Sequence, residues 1–185
     1  MSPVKELLTP PDIGELRSLA AGDDIVLTGQ VLTMRDAALG RLDSLLAEGG
    51  RPPFELAGQV VFHAGPTPPA AGRPTGAIGP TTAARMDHFL EMLFDRGVVA
   101  TIGKGPRSAE STAVHESNGA VYFAAIGGIA ALYGGMVVAM EPVAWDDLGP
   151  EAVRRVTIVR FPVLVAIDSS GTDFIASRHA RYRRD

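Results

Sequence analysis

The sequence predicts a layered αβ domain, and three observations carry that expectation. Runs rich in β-branched residues, such as Val98-Val99-Ala100-Thr101-Ile102, alternate with stretches whose apolar residues recur every three or four positions. Strands interleaved with helical patterns of this kind pack as helices against a sheet. The 185 residues, 46% of them hydrophobic, fit one domain with a substantial core, and no internal repeat or low-complexity linker divides them.

Taken in order, residues 1–22 form an N-terminal lead-in, polar and marked by Pro10-Pro11, in which Ile13, Leu16 and Leu19 suggest a short helix. Asp24 to Leu32 is β-rich and interrupted by Gly29, which fits two short strands or one bent strand. Leu39, Leu42, Leu45 and Leu46 then give a helix an apolar stripe, with Arg35 at its entrance. Residues 49–53 are a loop, and Gln59 to Ala64 a strand. His63, near the end of that strand, reads as a core or rim residue rather than a ligand or base. Residues 65–80 are rich in Pro and Gly without periodicity, the pattern of a long loop of the kind that often carries function.

Gly79-Pro80 then opens a helix, with Pro80 at the first helical position, where its missing N–H costs nothing, and Thr81 and Thr82 in the first turn. Met86, Phe89, Leu90, Leu93 and Phe94 supply its buried stripe, and Gly97 its C-cap. Val98 to Ile102 is a buried strand that delivers Gly103-Lys104-Gly105. Further on come a helix over 108–118, a strand over 120–125, a small-residue helix opened by Gly127-Gly128, and a strand over 136–140. Residues 145–152 form an acidic turn and helix start with Asp146 or Asp147 as the cap. Val156–Val159 and Pro162–Ile167 are strands, and 177–185 a flexible basic tail with Arg178, Arg181, Arg183 and Arg184.

The bulk numbers narrow the function. A net charge of −4 offers no basic field to a nucleic acid. The longest apolar stretch, around 120–140, is broken by two Gly-Gly pairs, so no membrane span is expected. The Met1-Ser2-Pro3 start has neither charged nor apolar signal regions, which points to the cytoplasm. Cysteine is absent, which excludes disulfides, thiol catalysis and a cysteine-ligated cluster held by this chain.

Three motifs share one logic: each sets a cation or a hydroxyl at a strand-to-helix junction or a helix start. These are Arg35; Thr81, Thr82 and Arg85; and Lys104. Such junctions gather along one edge of an αβ sheet, where ligands bind. Helix-start amides, hydroxyls and guanidiniums together suit a carboxylate or a phosphate, and two guanidiniums suit a small dianion. For each motif there is a plainer alternative: an Arg35–Asp36 surface pair, an N-capped helix with a surface arginine, and a turn lysine. No carboxylate or histidine accompanies the three at an informative spacing, so they read as half of a site.

The block Gly79-Pro80-Thr81-Thr82-Ala83-Ala84-Arg85-Met86-Asp87, with Arg35-Asp36-Ala37-Ala38 before it and Ile102-Gly103-Lys104-Gly105 after it, resembles the class I fumarate hydratase family. The likeness is to its C-terminal (β) domain, shared with the L(+)-tartrate dehydratase β subunit, and later blocks at 147–152 and 161–168 extend it over nearly the whole chain. The resemblance implies a single three-layer β/β/α swivelling domain with a mixed sheet over residues 1–185. It implies a hydro-lyase acting on a C4 dicarboxylate, fumarate to malate or tartrate to oxaloacetate. An oxygen-sensitive 4Fe–4S cluster would be carried by an α-type partner in a hetero-oligomer, its open iron acting as a Lewis acid on the leaving hydroxyl. By the same likeness, Arg35 and Arg85 bind substrate carboxylates and Thr82 hydrogen-bonds substrate. Thr81 takes part in proton transfer, and Lys104 binds or polarises the carboxylate as charge develops. The family often has a histidine where this chain has Leu39, a difference that bears on specificity if that position serves the site. The alternative is a standalone dicarboxylate- or phosphate-binding module without catalysis.

Overall fold

The computed structural model describes residues 4–182. Its elements begin with β1 (Lys5–Thr9), α1 (Ile13–Arg17), β2 (Asp24–Thr33), α2 (Asp36–Ala47), β3 (Val60–Phe62), β4 (Ala64–Pro66) and β5 (Ile78–Pro80). A 3-10 helix over Ala83–Phe89 runs into α3 (Leu90–Asp95), and β6 (Ala100–Gly103), α4 (Ala109–Asn118), β7 (Val121–Ala124) and α5 (Ala130–Gly135) follow. The chain ends with β8 (Val137–Ala144), a second 3-10 helix over Asp146–Glu151, β9 (Val153–Ile167) and α6 (Phe174–Tyr182).

Strands β1, β2, β3, β6 and β7 lie side by side and parallel. Strand β9 returns antiparallel, pairing with β2 along most of its length and with β7 near its C-terminal end, while β8 pairs with its N-terminal half. The mixed sheet therefore closes on itself, with β9 and β8 as a second layer. Alternation along the parallel strands sorts their side chains into two cores. Val60, Phe62, Ile102, Val121 and Phe123 join Ile158 and Phe161 between the two sheet layers. Val61 joins Leu39 and Leu42 of α2 and Met86, Leu90 and Leu93 of the central helical segment on the outer face. This is the expected β/β/α layering. It explains why the parallel strands read as continuous apolar runs: both of their faces are buried. Phe161 stacks on Tyr133 at 4.1 Å and meets Phe62 edge-on at 5.4 Å, placing aromatic bulk at the centre of the inner core.

Several elements differ from the sequence-based expectation. The lead-in contains an edge strand, β1, ahead of the expected short helix. Of the two readings of the stretch from Asp24, one bent strand holds: Asp24–Thr33 is a single strand whose register shifts between Leu27 and Gly29. The two expected strands near the C-terminal end are one, β9, which continues through Arg160 at φ 53°. The 65–80 loop is pinned at its base by a β4–β5 hairpin. Pro80 is the last residue of β5 and does not start a helix; the 3-10 helix begins at Ala83. Helix α5 begins at Ala130 rather than at Gly127-Gly128. Neither Asp146 nor Asp147 caps the helix over Asp146–Glu151, and Asp147 instead receives both terminal nitrogens of Arg41 at 2.7 and 2.8 Å. Residues 177–182 of the expected flexible tail lie in α6, whereas Arg183 and Arg184 fall outside the described residues.

Two helix ends follow from local chemistry, the one at Gly97 as expected. Gly97, at φ +83°, lets the Gly97 and Val98 N–H groups donate back to the carbonyls of Phe94 and Leu93, closing α3 with its last carbonyls satisfied. Ser108 caps α4 by accepting from the Ser111 N–H at 3.1 Å.

Candidate active site

The site grows from the ends of three parallel strands. β2 delivers Arg35 at the start of α2, β3 delivers His63, and β6 delivers Lys104. Residues 81–83 are wedged between the last two. The Thr81 N–H donates to the His63 carbonyl at 2.7 Å, the Lys104 N–H to the Thr81 carbonyl at 3.0 Å, and the Ala83 N–H to the Lys104 carbonyl at 2.9 Å. This pairing is why Thr81 and Thr82 precede the helix instead of occupying its first turn. Strand-like partners already satisfy the Thr81 backbone, so the turn-forming tendency of Gly79-Pro80 does not decide the local structure. Arg85 lies one turn further on in the 3-10 helix.

All five residues singled out from the sequence, Arg35, Thr81, Thr82, Arg85 and Lys104, line one open cleft of about 390 Å³. Thr67 of the proline-rich loop and Gly128 before α5 close its sides. Thr81 is buried, and Arg85 keeps about half of its side chain (53%) exposed. Among the described residues the Lys104 ammonium and the Thr81 hydroxyl have no hydrogen-bond partner, which leaves both available to a ligand. Arg35 reaches the cleft by crossing Gly65. A Cβ at Gly65 would stand 2.8 Å from the Pro150 carbonyl oxygen and 3.2 Å from Arg35 Nη1, so the position has no room for a side chain.

Two carboxylates that sequence reasoning did not assign to the site hold its arginines. Asp36 Oδ1 accepts from Arg85 Nη2 at 2.7 Å, and Asp36 Oδ2 faces Arg35 Nε at 3.5 Å. Glu151 Oε1 lies 3.2 Å from Arg35 Nη2, and its other oxygen accepts the Ala37 N–H at 2.7 Å, tying α2 to the second 3-10 helix. The adjacency of Arg35 and Asp36 was visible in sequence. The bridge to Arg85, 49 positions away, and the approach of Glu151 were not.

Beneath the cleft sits a buried polar post. The Arg107 side chain is fully buried; Nη1 donates to Asp87 Oδ1 at 2.6 Å and to the Ala83 carbonyl at 3.2 Å, while Nη2 donates to Thr101 Oγ1 at 3.0 Å. The guanidinium lies over the Tyr122 ring, 4.5 Å from its centroid. His63 Nε2 lies 3.2 Å from Arg107 Nη2, and Nδ1 lies 3.0 Å from the Met34 carbonyl. Burial, reinforced by the neighbouring Arg107 charge, pushes the His63 pKa down to about 3. His63 is therefore a neutral core histidine, with the tautomer that donates from Nδ1 to Met34 and accepts at Nε2 from Arg107.

Leu39 is fully buried in the outer core and does not line the cleft, so its difference from the family's histidine does not touch a ligand directly. The sequence contains no cysteine, and among the described residues no three His, Asp or Glu side chains gather as metal ligands. The residues of this chain therefore do not fit an iron–sulfur cluster as its ligands. Among the described residues no helix is long and apolar enough to cross a membrane.

The family described as Fumarase C-terminus matches residues 7–178. The chain is 33% identical to "Fumarate hydratase class I, anaerobic" of Escherichia coli (strain K12), over 93% of this chain and 31% of that protein. It is 36% identical to "Putative L(+)-tartrate dehydratase subunit beta" of Methanocaldococcus jannaschii, over 85% of this chain and 84% of that one. It is 34% identical to "L(+)-tartrate dehydratase subunit beta" of Escherichia coli (strain K12), over 98% of this chain and 92% of that one. The chain thus spans about a third of the length of the fumarate hydratases it matches, and most of the length of the tartrate dehydratase β subunits.

Proposed function

The chain belongs to the Fumarase C-terminus family, and from that premise we propose that it is the β-type part of an iron–sulfur hydro-lyase that reversibly adds or removes water at a C4 dicarboxylate. The observation that carries this reading is the convergence of two arginines, a lysine and two threonines from three separate segments on one cleft. Such a set suits a small dicarboxylate, because a guanidinium can offer a carboxylate a two-pronged fork. Fumarate with malate, and tartrate with oxaloacetate, are the pairs named by analogy with the relatives.

In this reading Arg35 and Arg85 hold the two carboxylates and Thr82 donates a hydrogen bond to the substrate. In the dehydration direction Thr81 takes the proton from the carbon α to a carboxylate. The released electron pair forms the double bond, and hydroxide departs from the neighbouring carbon. Lys104 stabilises the negative charge that builds on that carboxylate. A threonine hydroxyl accepts a proton only as its alkoxide, and Lys104, paired by backbone to the Thr81 segment, is the cation that favours that form.

The cluster in this reading is held by an α-type partner, which would also cover the open side of the cleft. Support for a partner comes from the relatives named as β subunits, which the chain matches over 84% and 92% of their lengths. A reducing cytoplasm suits such a cluster, and we place the complex there. Anaerobic co-expression with an α-type partner, followed by ultraviolet assays with fumarate, malate and L-tartrate, tests the reading. Turnover by the complex and none by the isolated chain is the expected result. Ligand binding by the isolated chain, with no turnover from any cluster-loaded complex, would favour a binding module instead.

A further inference from the structure

Asp36 occupies an unusual place for a carboxylate in a site read as a receptor for carboxylates. One of its oxygens holds Arg85 at 2.7 Å, and the other faces Arg35 Nε at 3.5 Å. Both Asp36 Oδ2 and Arg35 Nε are buried and lack a hydrogen bond, although the two unmet groups lie only 3.5 Å apart. Asp36 also lies in the first turn of α2, where the helix N-terminus favours a negative charge.

We infer that Asp36 is a positioning residue that sets the two guanidiniums at the separation and orientation a C4 dicarboxylate requires, without itself touching substrate. This rests on the reading of the cleft as a dicarboxylate site. Arg35 and Arg85 arrive from different elements on long, rotamer-rich side chains, and two like charges facing one cleft repel. A carboxylate between them removes that repulsion and fixes the rotamer of Arg85 before the ligand arrives. Its contact uses only Arg85 Nη2, and about half of the Arg85 side chain (53%) remains exposed for a second carboxylate. Glu151 does the corresponding work on Arg35, meeting Nη2 at 3.2 Å. The cleft therefore carries three cations against two fixed carboxylates, a net charge of about +1 that still draws an anion in.

The test is a double-mutant cycle on the enzyme reconstituted with its cluster-bearing partner, using Asp36→Asn, Arg85→Lys and the double variant. Asp36→Asn keeps the shape and one acceptor but removes the charge. Its expected effect is a dicarboxylate KM raised about tenfold with kcat within about twofold of the parent, the loss typical of a charge-assisted contact. Because Asp36 acts through Arg85, the double variant should have a KM no higher than that of Arg85→Lys alone. Asp36→Glu, which retains the charge on a longer arm, should recover part of the loss. The inference is overturned if Arg85→Lys raises KM and Asp36→Asn does not. It is equally overturned if the two effects multiply in full, or if Asp36→Asn lowers kcat and melting temperature while leaving KM alone. An unchanged KM in Arg85→Lys itself would instead sink the dicarboxylate reading of the cleft, and the inference with it.

Discussion

Arg107 places Nη1 2.6 Å from Oδ1 of Asp87, with the Arg107 side chain fully buried. The other Asp87 oxygen accepts the Ser108 N–H at 3.1 Å, so this one carboxylate ties the 3-10 helix that carries Arg85 to the loop that follows Lys104. The functional side chains open onto the cleft, whereas neither Asp87 nor Arg107 lines it. A buried ion pair of this kind contributes little net stability when intact, but breaking it leaves a charge with no partner.

Asp87→Ala should therefore destabilise the fold by about 3–5 kcal/mol, because Arg107 keeps its charge in a site with no water to solvate it. Replacing both partners with apolar residues of similar size should recover most of that loss. Urea unfolding of the single and double variants checks both statements.

Arg85→Lys should leave the melting temperature within about 2 °C, since Arg85 is half exposed and supports no core contact. Its substrate KM should rise by about tenfold or more, because a point charge cannot replace a two-pronged fork. Steady-state kinetics of the reconstituted complex, read beside a thermal melt of the same sample, separate the two effects.

Stability should fall as pH drops below about 6.5, the ordinary histidine value, with the sign set by two buried histidines. Burial, with Arg107 adding to it, holds His63 at about 3 and His115 at about 4. The unfolded chain takes up protons near 6.5 that the folded chain refuses, so each histidine contributes stability that is full above 6.5 and declines on acidification. His115 stops contributing to the slope below about 4, and His63 below about 3. Near pH 5 each should give a slope of about 1.4 kcal/mol per pH unit. Denaturant midpoints between pH 5 and 6 should show that slope halved in His115→Asn.

Gly65→Ala should damage the site more than the fold. Its methyl group would push against the Pro150 carbonyl at 2.8 Å and Arg35 Nη1 at 3.2 Å, and the flexible guanidinium gives way more readily than the backbone. The expected result is a KM raised several-fold with a stability loss of about 1–2 kcal/mol.

Which parts of this were legible in sequence follows from what each part depends on. Val98 to Ile102 reads as a buried strand because both faces of β6 are covered, leaving an unbroken apolar run. Gly97 and Ser108 mark helix ends through local chemistry alone. Strand β1 was missed because Leu7 and Thr9 are buried while Lys5, Glu6 and Leu8 are exposed, an alternation too short to stand out. The Pro80 helix start failed because His63 and Lys104, distant in sequence, supply strand partners to Thr81. That Arg35, Thr81, Thr82, Arg85 and Lys104 gather in one cleft was readable, since each motif was placed at a strand-to-helix junction or a helix start. The bridging of Arg35 and Arg85 by Asp36, and the support from Glu151, depend on where long side chains meet in space, and no local pattern encodes that.

The central claim is that catalytic groups of a shared site lie on this chain, and Thr81→Val tests it most directly. Valine keeps the shape of threonine and replaces only the hydroxyl, with a methyl group. In the reconstituted complex, with iron content and subunit assembly equal to those of the parent, the account predicts a kcat lower by about 100-fold or more, the usual cost of losing a proton-transfer group. A Thr81→Val complex that turns over C4 dicarboxylates at the parent rate would contradict it.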